Sequence, residues 1–125
     1  MRKRSEQTIP KHQRVEMEFL EALRKRCPRY APVLEALGHI YTRAGRYDEG
    51  LRIDAELTDL RPNEPENWYN LACSYALVGQ KDNAFVSLER AVKLGYNDVD
   101  WMTKDKDLKT LHADPRFKKL LSRVS

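Results

Sequence analysis

An all-α fold is predicted, a helix-turn-helix repeat solenoid with two full helix pairs, a lone helix before them and a helical cap after them. Three observations predict it. Sliding the 125-residue chain against itself by 34 residues aligns Leu37 with Leu71, Tyr41 with Tyr75, Gly45 with Gly79 and Leu60 with Leu94. Apolar residues within each unit recur at helical spacing, and strand-like alternation is absent. Gly and Pro punctuate the units at matching places, with Pro28 falling on Pro62. A fixed period of this length marks a helix-pair array.

The lone helix runs from about Lys11 to Arg26. Leu20 and Leu23 take core positions, and Pro28 ends the unit. Val15, Met17 and Phe19 cannot all face one neighbour, so apolar surface is expected to stay open here unless Thr8-Ile9-Pro10 folds back over it. An uncovered solenoid end is a self-association surface. The first pair spans about Pro32–Ala44 and Tyr47–Leu60, the second Glu66–Val78 and Lys81–Leu94. Gly45 and Gly79 close the first helix of each pair, where positive φ is wanted. Arg61 to Pro65 must turn, because Pro62 and Pro65 flank Asn63-Glu64.

The domain organisation expected is a flexible basic tail over 1–10 and one domain over 11–125. Within that domain, 11–30 is a half-repeat, 31–64 and 65–98 are repeats, and 99–125 is the cap. In the cap, Trp101-Met102 supplies an apolar plug, and Leu108 and Leu111 make a short amphipathic turn. Asp114-Pro115 is a helix start, and Phe117, Leu120, Leu121 and Val124 then share one face.

Composition narrows the function. Hydrophobic residues make up 41% and charged residues 34% of the chain, which excludes both a membrane span and a disordered chain. No apolar stretch follows the basic start, so a secretory signal is not expected and a cytoplasmic location is. Cys27 and Cys73 belong to no CxxC or CxxH pattern, so they predict reduced thiols and neither a disulfide framework nor a zinc site. No cofactor is expected, since the chain has no phosphate-binding Gly loop and no carboxylate cluster with metal-ligand spacing. Residues 1–30 carry nine Lys/Arg against four Glu, while 31–94 carry seven against ten Asp/Glu. Charge is therefore basic at the ends and acidic in the middle. A nucleic-acid reading would rest on Arg2, Lys3, Arg4, Lys11 and Arg14, but a solvated tail explains them more simply.

The repeat residues also resemble a family pattern: W-x2-L-G-x2-Y, then A-x3-F, then P. Trp68, Leu71, Ala72, Tyr75, Ala84, Leu88 and Ala91 match it in the second unit. Leu34, Leu37, Gly38, Tyr41, Gly50 and Pro62 match it in the first, which departs at Asp54, where a large apolar residue belongs. Looser packing is expected there, relieved by Ile53 or Leu57. The pattern is that of the tetratricopeptide-repeat (TPR) family. The tail, from Leu94-Gly95-Tyr96 through Trp101, Asp107-Leu108 and Asp114-Pro115-Arg116-Phe117, resembles the segment that closes such arrays in many bacterial proteins.

The resemblance implies a non-enzymatic interaction module that holds a peptide or protein along the first helices of its pairs. The positions implied are Glu35, His39, Thr42 and Arg43, then Glu66, Tyr69, Asn70, Cys73, Ala76 and Leu77. Tyr69 and Leu77 would pack on a ligand, Asn70 would bond a peptide backbone and Arg43 would meet a carboxylate. In the class that grips chaperone C-termini, a Lys and an Asn stand where this chain has Glu35 and His39. A glutamate would repel the carboxylate, which argues against that clamp. Two other readings stay open: a homodimer through the lone helix, and a thiol enzyme using Cys73 with His39 as its base.

Overall fold

A computed structural model describes residues 9–124, and most of the basic segment 1–10 lies outside them. The described residues form helices only: α1 (Lys11–Arg26), α2 (Ala31–Arg43), α3 (Tyr47–Leu60), α4 (Pro65–Leu77), α5 (Lys81–Lys93), α6 (Val99–Lys104), a 3-10 helix (Lys106–Leu111) and α7 (Pro115–Leu121). The architecture is all-α and built on TPR-type helix pairs, α2 with α3 and α4 with α5. Chain contacts divide it into two compact units, one ending at Leu60 and the other starting at Arg61.

In the first unit, α1 follows Pro10, whose ring holds the extended backbone that leads into the helix (φ −62°, ψ 153°). Its last turn carries Arg24, Lys25 and Arg26, which complement the negative end of the helix dipole. Neighbours two residues apart on a helix point to different faces, and this sorts the three apolar side chains. Met17 is buried with Leu20, while Val15 and Phe19 face outward, Phe19 with 62% of its surface exposed. Ile9 packs against the same core, which also holds Leu34, Leu37, Ile40, Ile53 and Leu57. Tyr41 donates its hydroxyl to Glu21 at 2.5 Å, and Arg24 pairs with Glu56.

Helices α2 and α3 meet at two glycines. A Cβ at Gly38 would lie 3.0 Å from Oδ1 of Asp54, and one at Gly50 would lie 3.2 Å from Oγ1 of Thr42. Asp54 is 6% exposed, and the apolar contacts are carried by its neighbours Ile53 and Leu57.

The second unit is built on α4 and α5, with Ala72, Ala84, Leu88 and Ala91 at the centre of its core. Met102, Leu108, Leu111, Phe117 and Leu120 close that core from the C-terminal side. Of the expected plug residues only Met102 goes inside; Trp101 is half exposed. Successive helical residues point about 100° apart, so a single turn can bury one of the pair. Each short cap element begins on an aspartate: Asp98 accepts from the N–H of Trp101, Asp105 from that of Asp107 and Asp114 from that of Arg116. Arg116 holds the Asp114 carboxyl down at about 2 by hydrogen bonding to it, and it also reaches Asp82 at 2.8 Å.

Three helices end in one way. Gly45, Gly79 and Gly95 have φ of 77°, 85° and 111°. After each, the next N–H returns to a carbonyl five residues back: Arg46 to Tyr41, Gln80 to Tyr75 and Tyr96 to Ala91, all at 2.9 Å. This double-bonded ending satisfies the last carbonyls of the helix and turns the chain sharply.

Candidate functional site

The residues suggested for partner contact lie on α2 in the first unit and on α4 in the second. On α2, Glu35, His39 and Arg43 are exposed at intervals of four, so they stand in a row along one face. Thr42 is half-buried, and its hydroxyl bonds back to the carbonyl of Gly38 at 2.9 Å. Its polar atom is therefore engaged within its own helix. The row presents an acid, an imidazole and a guanidinium, a surface suited to polar groups of both signs.

On α4 the same register gives a different result. Glu66 is exposed, and Asn70 and Leu77 are half-buried. Tyr69 and Cys73 are only 4% and 7% exposed, and Ala76 is buried as well. The 3-10 helix packs on this side of α4 and brings Asp105 over both polar side chains. Tyr69 donates its hydroxyl to Oδ2 of Asp105 at 2.6 Å, and the Cys73 thiol lies 3.7 Å from the same oxygen. Oδ1 of Asp105 takes the N–H of Asp107 at 3.0 Å. The Tyr69 ring stacks on Tyr96, with centroids 4.3 Å apart and planes 4° from parallel. Tyr69 and Cys73 are thus occupied by the cap, and a ligand on α4 would meet Glu66, Asn70 and Leu77 instead.

The electrostatics around Cys73 oppose nucleophilic chemistry. Burial, then the carboxylates of Asp105 and Asp107, push its pKa well above the ordinary thiol value. A catalytic cysteine needs the reverse, a cationic neighbour that favours thiolate. Burial pushes Tyr69 up as well and takes Tyr96 to about 12, so both phenols stay protonated. Asp107 is raised by burial and by Asp105.

Sequence reasoning did not bring Asp105 and Asp107 to Cys73. The cysteine lies 32 residues before Asp105, so no short spacing reports the meeting. The available signal was the 3-10 segment itself: Asp105 and Asp107 precede Leu108 and Leu111, whose burial must carry their neighbours inward.

No helix among the described residues is long and apolar enough to cross a membrane. The family model described as tetratricopeptide repeat matches residues 65–95. The chain is 32% identical over 84 residues to a chloroplastic protein of Arabidopsis thaliana, a match over 65% of this chain and 25% of that protein. It therefore spans about a quarter of the length of the curated relative it matches. TPR units in general serve protein–protein interaction, and the family's members are typically non-enzymatic scaffolds. Helix pairs on a 34-residue period and Gly-closed helix ends accompany that match, and residues 65–95 form a tetratricopeptide repeat.

Proposed function

We propose that this protein is a non-enzymatic adapter that holds a peptide or protein segment against the first helices of its helix pairs. The observation that carries the reading is the exposed row Glu35–His39–Arg43 on α2, polar groups that the packing of their own unit does not need. Glu66, Asn70 and Leu77 extend the reading to α4. A few side chains on each helix support a dissociation constant of about micromolar, about −8 kcal/mol. Free Cys27 and Cys73 fit a reducing compartment such as the cytoplasm. The test is a pull-down that compares the wild type with His39→Ala/Arg43→Ala and with Asn70→Ala/Leu77→Ala, each checked by circular dichroism. Loss of a bound protein with helicity intact supports the adapter. Retention of every bound protein by both variants overturns it.

A second reading, self-association through α1, is favoured by the outward Val15 and Phe19. Mass measured in solution at micromolar concentration decides it. A dimer that Phe19→Ser converts to monomer supports it, and a strict monomer ends it.

A further inference from the structure

Where α4 meets the 3-10 helix, ligand atoms of Cys73, Asp105 and Asp107 all lie within 4.8 Å of one another. Cys73 and Asp105 are buried and Asp107 is half-buried. We propose that these three side chains form a binding site for a divalent cation of the zinc type, a site independent of the adapter surface.

The geometry suits such an ion. The Cys73 sulfur stands 3.7 Å from Oδ2 of Asp105. Around a tetrahedral zinc, with Zn–S about 2.3 Å and Zn–O about 2.0 Å, a sulfur and an oxygen sit about 3.5 Å apart. The Asp107 oxygen lies within 4.8 Å of the other two ligand atoms, so it must close by at most about 1.5 Å to complete the set, and its half-exposed side chain gives the ion an entry path. Three protein ligands leave the fourth position to water. The sulfur selects a borderline ion over calcium or magnesium, which take oxygen ligands. Tyr69, at 2.6 Å from Oδ2, and the Asp107 N–H, at 3.0 Å from Oδ1, hold the Asp105 carboxylate in place, as outer-shell donors do around metal sites.

The charge distribution points the same way. Two carboxyls and a thiol converge, and the neighbours that bond Asp105 are a phenol, a thiol and a backbone amide, all neutral. A dication placed among them offsets the negative charge that the two carboxylates bring together. On binding, the Cys73 thiol releases its proton to solvent, and no oxidation state changes.

The test uses the full chain carrying Cys27→Ser, so that a single thiol remains. Co2+ titration is expected to produce a thiolate-to-cobalt absorption band in the near ultraviolet, which Zn2+ then displaces. Zn2+ alone is expected to raise the melting temperature in a saturable way. Cys73→Ser should abolish the band. Asp107→Asn should weaken the zinc midpoint by more than tenfold, and Tyr69→Phe by about tenfold through the lost outer-shell bond. The proposal falls if excess Co2+ gives no band, if the band survives Cys73→Ser, or if Asp107→Asn leaves the zinc midpoint unchanged.

Discussion

The two helix pairs solve one packing problem differently. Thirty-four residues apart, Asp54 and Leu88 hold the same repeat position, as do Gly38 and Ala72. In the second unit Leu88 is fully buried in an apolar core with Ala72 beside it in the same cluster. In the first, a buried carboxylate replaces the leucine, and the facing helix carries a glycine whose Cβ would come within 3.0 Å of Oδ1. One departure rests on a residue that keeps the pattern: the glycine opposite Asp54 leaves the room that the carboxylate occupies. Ile53 and Leu57 then bury the apolar surface that the aspartate does not supply. A departure from a repeat pattern is thus read best together with the position it faces.

Substitutions can break that comparison. The largest effect is expected from Leu88→Ala, which leaves a hole in a core with no polar alternative and should cost about 2–5 kcal/mol in denaturant unfolding. Next comes Gly38→Ala, at about 1–3 kcal/mol, because the new methyl presses on a buried carboxylate. The sharper measurement is the double variant Gly38→Ala/Asp54→Leu, which installs the second unit's pair in the first. It should recover most of the Gly38→Ala loss, and a double-mutant cycle should give a coupling of about 0.5–3 kcal/mol. Strict additivity would show that the two positions do not compensate.

The Gly-closed ends predict a smaller effect that space does not decide. Nothing lies within 4 Å of a Cβ placed at Gly79, yet its φ is +85°. Gly79→Ala should therefore cost about 1–2 kcal/mol from backbone conformation alone. A neutral result would mean that the turn relaxes to negative φ.

The smallest effect is the most informative about the cap. Asp107 has a raised pKa in the folded state, so its ionisation works against folding at neutral pH. Its contribution is most favourable below the unfolded carboxyl pKa, about 4, and is lost as pH rises through the folded value. In the metal-free protein Asp107→Asn should accordingly raise the melting temperature at pH 7, with the gain fading below about pH 4. A gain that persists unchanged in acid would assign the effect to packing instead of charge.

The helices and their ends were legible because their causes are local. Gly45 and Gly79 announce positive φ, and Asp114 before Pro115 announces a helix start. Met17 and Met102 were not separable from Val15, Phe19 and Trp101 on type alone. All are apolar, and only the direction of each side chain toward a packed neighbour decides which is buried. Tyr69 and Cys73 were expected at the surface because the family resemblance puts those positions on the partner-facing side, yet both are buried. That reading did not anticipate that the cap would lay Asp105 over them.

The order and type of the helices, their termination and the repeat period were therefore set by residues acting over one or two turns, where backbone sterics and hydrogen bonding suffice. Which side chains became surface and which became an internal polar cluster was decided only by tertiary structure. Burial is a property of what packs on top, and for Cys73 that cover is supplied by a segment more than thirty residues further along the chain.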